Sequence, residues 1–554
     1  MSHPGAADAV DTRRVEFLSA TWERIQITLR LRPVDGQPLD PAAVRLRRIS
    51  AQAGVAPHRL RDPGGSRGQL TEPARAWLEG DIAVVRINVM QGPEQEPLEA
   101  GRWVLVLVDG TQARPVVAVN QADHGDAAAA FTFGTTRYSA RPMRDASRAV
   151  GLEIRIQPAD QAAAGVPSQA ILRRLLRPFR RLRLGLFAIL YRIFHATSRR
   201  TGRRILFTSD SRSELGGNLK IVHDRMVERG LDRDYELQTL FKESIGASRG
   251  FRDRLRLPRL LARADVIVID DYQPVIYRFD DPTKRVVQLW HAWGAFKTVG
   301  YSRVGKPGGL DPYSRVHKTY THAIVSSEAE VPFYAEAFGI PESRVYPTGI
   351  PRMDRFRDPA RAAASREAAL DAYPAARDRT VYLFAPTFRG HGARTAWYDV
   401  SQIDYPALHA LCVDRDAVCI IRMHPFVRAA LDIPTEYADR IIDGSTSSID
   451  INDVLFATDV LITDYSSVVF EFSTMDRPML FFAYDLESYI GERDFYVRYE
   501  DFVPGRIVRT FDAVLDAIRT DDFDTQRLAA FRARHLGRFD GRATDRVIDL
   551  IIGR

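Results

Sequence analysis

Cysteine is scarce in this chain of 554 residues, which carries only Cys412 and Cys419. Two thiols cannot build a disulfide framework, and this usage fits a reducing compartment. Cys419 lies in the apolar run Val418-Cys419-Ile420-Ile421 and reads as a small core residue. Long apolar runs are also missing. No stretch of about 18 apolar residues occurs, so no membrane-spanning helix is predicted. Residues 1–14 are polar and contain acids, without the apolar core of a signal peptide. The sequence has no H-E-x-x-H, no cysteine cluster and no Walker loop. The acidic pairs Asp270-Asp271 and Asp280-Asp281 read as turns or solvated surface, so neither a metal nor a cofactor is expected. No internal repeat or long low-complexity tract is present.

One absence is local. No acidic residue lies between Asp160 and Asp210, although the net charge of the whole chain is only +7. Within that stretch Arg173, Arg174, Arg177, Arg180, Arg181 and Arg183 alternate with Leu, Phe and Ile. Its apolar part, 184–190, is too short to cross a bilayer. Arginine on one side with Leu and Phe on the other is the pattern of a helix lying on an anionic membrane surface. The expectation is peripheral attachment to the cytoplasmic face of the cell membrane. The competing reading is a linker helix packed on its neighbour. Nucleic acid is not an expected partner, because the interleaved residues are aliphatic and not stacking aromatics.

The remaining organisation follows from pattern. Residues 1–15 are expected to be disordered. Residues 16–160 read as an all-β, sandwich-like domain: 24–32 alternates strictly, 44–49, 82–89, 103–108 and 152–156 are further strands, and Gly/Pro/Asp breaks separate them. Residues 161–202 form the basic amphipathic linker. From Arg203 strands and helices alternate, giving one doubly wound half over 203–365 and a second over 366–554.

Chemically useful residues recur just past the ends of the predicted strands. Trp290-His291-Ala292-Trp293-Gly294-Ala295-Phe296-Lys297 follows Val286-Val287-Gln288-Leu289. Ala385-Pro386-Thr387-Phe388-Arg389 follows Val381-Tyr382-Leu383-Phe384. Arg422-Met423-His424-Pro425 follows the Cys419 strand, and Thr463-Asp464-Tyr465-Ser466-Ser467 follows Val460-Leu461-Ile462. Ligands of open α/β sheets bind at that edge. Ser466 and Ser467 suit the cap of a following helix, whose first turn offers N–H groups to a phosphate.

Together with Arg477-Pro478-Met479-Leu480-Phe481-Phe482-Ala483-Tyr484-Asp485, these motifs resemble the CDP-glycerol glycerophosphotransferase family, the teichoic-acid primases and polymerases. The resemblance covers residues 203–550. One departure is Ala292-Trp293-Gly294, where many members have Gly-Thr-Pro; it leaves His291 and Lys297 in place. The resemblance implies two Rossmann-like halves facing a cleft, the glycosyltransferase-B arrangement. It also implies transfer of a polyol phosphate, glycerol phosphate first, from a CDP-polyol to a hydroxyl of a lipid-linked acceptor or growing polymer, with release of CMP.

The resemblance makes His291 the candidate base and His424 the candidate phosphate ligand, with the reverse assignment open. Lys297 and Arg389 are candidate countercharges. Thr387, Ser466 and Ser467 are candidate donors to phosphate oxygens, and Arg422 is a further donor-side residue. Asp464 would orient a histidine or bind the donor, and Glu471 would reach ribose hydroxyls. Two other readings stand beside this one: a nucleotide-sugar glycosyltransferase on the same scaffold, and a non-catalytic membrane-surface scaffold. Oligomeric state is left open.

Overall fold

The computed structural model describes residues 12–34, 36, 38–51, 70–120, 128–134, 136–144, 147–159, 177–244, 247–271, 273–278, 281–306, 309–390 and 395–553. Two compact units divide the chain. The first comprises residues 1–187, 299–319 and 335–342; the second comprises 188–298, 320–334 and 343–554.

The first unit is all-β. Its 11 strands form one continuous sheet that carries two arms. Strands Arg13–Glu23 and Gln26–Pro33 pair antiparallel in one arm, and Gly101–Asp109, Thr136–Arg144 and Val150–Pro158 lie in the other. Inward residues of both arms, among them Phe17, Leu29, Leu46, Trp103, Leu105, Tyr138 and Leu152, share one core. The alternation read at 24–32 is thus the inside–outside alternation of a half-buried strand. The first strand begins at Arg13, inside the 1–15 segment expected to be disordered, while residues 1–11 lie outside the described residues.

Two segments expected in the first doubly wound half belong instead to this β unit. Tyr301 and Val304 are buried in its core. Glu336 accepts a 2.7 Å bond from Arg24, and Lys318 donates to the carbonyl of Gln95. Burial lowers the pKa of Lys318 to about 8.

The second unit holds two parallel six-stranded sheets. In the N-terminal half the spatial order is Glu236–Phe241, Arg204–Ser209, Val266–Ile269, Arg285–Gln288, His322–Ile324, Val345–Tyr346. In the C-terminal half it is Ile441–Asp443, Ala417–Ile421, Thr380–Phe384, Val460–Thr463, Met479–Phe482, Arg506–Val508. Strands such as Val266–Ile269 and Ala417–Ile421 are buried at every position, because both faces of a parallel sheet are covered. The expected pair of Rossmann-like halves is therefore present. Strand order reverses between Thr380–Phe384 and Val460–Thr463, and open α/β sheets take their ligands in the crevice at such a point.

The boundary expected at 365 falls inside the helix Pro359–Ala372, which Asp358 caps by accepting from the Ala360 and Arg361 amides. The last helix, Ala543–Ile552, returns to the N-terminal half. There Arg225 and Arg229 pair with Asp545, and Arg229 also pairs with Asp549.

The basic segment is a helix, Arg177–Thr197. Arg173 and Arg174 lie outside the described residues. At its C-terminal end, buried Tyr191 and His195 both meet Asp281. Leu186, Ile189 and Ile193 are 55%, 56% and 52% exposed. Their spacing of three and four places them on one stripe. Among the described residues no helix is long and apolar enough to cross a membrane.

Candidate active site

The loop that carries His291 is bent by its own sequence. Trp290 adopts φ 51°, a left-handed conformation that a bulky residue takes only when its surroundings hold it there. Two side chains do so: Gln288 Oε1 accepts the Trp290 amide at 2.8 Å, and Asn218 Nδ2 donates to the Trp290 carbonyl at 2.8 Å. The bend turns His291 outward, leaving its side chain 52% exposed, with Nδ1 3.9 Å from Asp271 Oδ1.

Crowding by protein atoms lowers the His291 pKa. Asp271 opposes that shift, while the charges of Arg352 and Arg212 add to it. The lowered pKa favours the neutral ring, the form that can accept a proton.

Lys297 ends the same loop and forms a β-bridge with Phe495 of the C-terminal half. Its ammonium lies 5.4 Å from the centroid of the Tyr489 ring. Burial lowers its pKa to about 7, against the attraction of Asp464 and together with repulsion from Arg493 and Arg389. Among the described residues no carboxylate lies within ion-pair distance of it. At pH 7 only part of the Lys297 population carries a charge, and a bound phosphate would restore the rest.

His424 stands on the loop after Ala417–Ile421. Its Nδ1 accepts the Phe426 amide at 3.1 Å, which leaves the proton of the neutral ring on Nε2. Phe388 and Phe426 flank the ring, each with centroids 4.7 Å away. Burial lowers its pKa, and the charge of Lys297 lowers it further. Arg493, two residues before the Lys297 bridge partner Phe495, lies 5.6 Å from the Phe388 ring beside His424, so the Lys297 and His424 loops border the same segment.

The switch-point residues are built differently. Thr463 Oγ1 donates to the Ala385 carbonyl at 2.7 Å, tying the two strand ends together. Asp464 is fully buried: Oδ1 accepts the amides of Thr387 (2.7 Å) and Tyr465 (2.5 Å), and Oδ2 accepts from Arg389 (2.8 Å). Arg389 is 6% exposed and clamps Asp485 through two bonds of 2.6 and 2.8 Å. Tyr398, Tyr465, Tyr484 and Tyr489 surround it at 5.0–5.4 Å. Its guanidinium braces the crevice from below. Burial works against its charge, but the two aspartates outweigh burial and raise its pKa.

Ser466 is half-buried and Ser467 is exposed. Ser466 Oγ lies 3.4 Å from the Val468 amide, and Ser467 makes no side-chain cap. Ser467 is thus exposed just past the C-terminal end of the Val460–Thr463 strand. Arg422 donates to Tyr373 Oη (3.2 Å) and to the Ile449 carbonyl. Glu471 Oε1 accepts from Arg352 across the two halves at 2.8 Å, and burial raises its pKa despite that partner. Its Oε2 is buried and has no hydrogen-bond partner among the described residues.

Sequence reasoning did not single out Asp271 or Arg352 as neighbours of His291. Asp271 follows the strand Val266–Ile269, so the strand-end rule that flagged the histidines applied to it too. Among the described residues no group of three or more His, Cys, Asp or Glu is arranged to hold a metal.

Residues 189–553 match the family described as CDP-Glycerol:Poly(glycerophosphate) glycerophosphotransferase. The chain is 46% identical over 365 residues to the teichoic acid ribitol-phosphate polymerase TarK of Staphylococcus aureus, a match covering 66% of this chain and 71% of that protein. It is 45% identical over 354 residues to TarL, a second ribitol-phosphate polymerase of that organism, covering 64% of this chain and 63% of TarL. Among solved structures, the wall teichoic acid polymerase TagF superposes with a TM-score of 0.54 at 23% identity, over 69% of this chain and 96% of that one. That likeness shows the two-halved fold.

Proposed function

The chain belongs to the CDP-glycerol:poly(glycerophosphate) glycerophosphotransferase family, and from that premise we propose that it transfers ribitol phosphate from CDP-ribitol to the terminal hydroxyl of a polyol-phosphate polymer. Sequence analysis placed glycerol phosphate first. Ribitol takes precedence because the relatives that are 46% and 45% identical are named for ribitol phosphate.

In the proposed reaction the acceptor oxygen attacks the phosphorus that bears the polyol. The bond from that phosphorus to the bridging oxygen breaks, and CMP leaves with the electron pair. The acceptor proton passes to His291. Lys297 and the Nε2–H of His424 hold the phosphate oxygens. Such transfer is chiefly positioning plus charge stabilisation. The observation that carries the proposal is geometric: Lys297 bridges Phe495 of the other half, and Arg493, two residues earlier, lies 5.6 Å from the Phe388 ring that flanks His424. Transfer without a bound metal is part of the proposal, so EDTA should leave the rate unchanged.

The test is CMP release by the full chain with a lipid-linked polymer acceptor, comparing CDP-ribitol, CDP-glycerol and a UDP-sugar. CDP-ribitol should be turned over fastest. Faster release from CDP-glycerol would restore the first expectation, and activity on the UDP-sugar alone would replace the proposal with a glycosyltransferase.

A pH profile follows from the two shifted groups. His291 must lose its proton, which gives a rising limb below about pH 6.5. Lys297 must keep its proton, so kcat/KM should fall as pH rises through about 7. Lys297→Arg retains its charge at high pH, so the falling limb should move upward by at least about one unit. An unmoved limb would remove Lys297 from phosphate binding.

The proposal includes a peripheral position on anionic membrane, supported by the exposed stripe Leu186, Ile189 and Ile193 beside arginine-rich sequence. Each arginine near such a surface contributes about 1 kcal/mol. The protein should float with vesicles containing phosphatidylglycerol, less so at high salt. Leu186→Ser with Ile189→Ser and Ile193→Ser should release it. Equal flotation with neutral and anionic vesicles, or with neither, would identify the helix as a packed linker.

A further inference from the structure

Two buried groups outside the site hold the loop that carries it. Glu330 and His535 are 0% and 4% exposed by side chain and meet at 2.8 Å between Oε1 and Nδ1. As a carboxylate Glu330 can only accept, so Nδ1 donates. Its second oxygen accepts the backbone amide of Ala295, midway between His291 and Lys297. One residue earlier, Tyr334 Oη donates to the Gly294 carbonyl at 3.2 Å. Gly294 also admits the Phe470 ring, since a Cβ there would lie 2.2 Å from two ring carbons. Phe470 in turn packs edge-on against His535, with centroids 5.7 Å apart.

His535 ends the helix Gln526–His535, which touches both the Val468–Ser473 helix of the C-terminal half and the Glu328–Glu330 turn of the N-terminal half. One chain of contacts therefore runs from His535 through Glu330 to the Ala295 amide, and a second runs through Phe470 to Gly294.

We propose that His535 and Glu330 are positioning residues that set the 290–297 loop, so that His291 and Lys297 face the crevice of the other half. The inference rests on the proposed roles of those two residues. Buried polar networks specify a unique arrangement when every member is satisfied, and small misplacements of catalytic groups cost up to about 10²-fold. A purely stabilising pair would lower turnover and CMP affinity together, whereas a positioning pair separates them, because CMP lacks the polyol phosphate that Lys297 of this loop is proposed to hold.

The test variant is His535→Phe, which keeps the aromatic packing with Phe470, Phe502 and Phe531 but removes the donor. CMP release with CDP-ribitol should fall by ~10- to 100-fold, with the CMP dissociation constant changed less than about twofold. Hydrogen exchange in the peptide spanning 290–298 should quicken by at least about tenfold, while the strands Ala417–Ile421 and Val460–Thr463 stay protected. Glu330→Gln can still accept from Ala295 and donate to the other tautomer of His535, so it should keep turnover within about threefold of wild type. If His535→Phe does not fold, Glu330→Met carries the same test. Wild-type turnover and exchange in either disruptive variant, or a loss of CMP affinity as large as the loss of turnover, overturns the proposal. The exchange measurement needs no activity, so a wild-type protein inactive on CDP-ribitol would defeat the proposed function while the exchange result still decides the positioning role.

Discussion

Replacing His291 or His424 with alanine should lower turnover by ~10²-fold or more, the scale of losing general acid–base help, and should leave the protein folded. Neither ring is part of the core. His291 is half in water, and His424 sits on a loop between two phenylalanines that remain when it is removed. In the proposed reaction, losing His291 removes the proton acceptor, and losing His424 removes a donor to the phosphate. The two effects should differ in kind. His291→Ala should lower kcat at unchanged CMP affinity, and His424→Ala should weaken the hold on the donor as well. The measurement is CMP release over a range of donor concentrations, with thermal melting to verify folding. Near-normal turnover in either variant would remove that residue from the mechanism.

Replacing Arg389 should act on the fold. Arg389→Met strands two carboxylates, Asp464 and Asp485, inside a ring of four tyrosines. Breaking a buried pair by removing one partner costs about 3–5 kcal/mol, because the remaining charge has nowhere to go. Two carboxylates share this arginine, so the upper end of that range is expected. The check is chemical denaturation of the full chain, with intrinsic fluorescence of the C-terminal half as the signal. A normally stable variant that had lost only donor affinity would show that the guanidinium turns to the phosphate when substrate is present.

Arg389 also illustrates how much of the site was legible beforehand. The strand-end rule located its loop correctly, because an apolar run bounded by a turn announces where a buried parallel strand stops. His291, Lys297, Thr387, His424, Asp464 and Ser467 all lie at such ends. Which way a side chain turns there is not written in the run. Arg389 turns inward because buried Asp464, together with half-buried Asp485 96 residues later, lies opposite it, and Glu471 turns toward Arg352 from the other half. Such choices are made by partners distant in sequence, as are Asp271 beside His291 and Glu330 beside His535.

The fold was legible to the same depth. Alternation marked the central β strands of the first unit. Arg13–Glu23 was passed over where charged residues obscured its period, and the joining of 299–319 and 335–342 to the β unit left no local signature.

The return of the Ala543–Ile552 helix to the N-terminal half carries a consequence for synthesis. Arg225 and Asp545 are 320 residues apart in the chain. At about 5–20 residues per second, a ribosome needs roughly 16–64 s to travel that distance. Throughout that interval the face formed by Val222, Met226 and their neighbours awaits Val547, Ile548 and Ile551, with which it shares a core. The N-terminal half therefore emerges first and is completed last. A nascent chain stalled before residue 543 would expose an apolar face to chaperones and proteases even though every strand of that half had already been made.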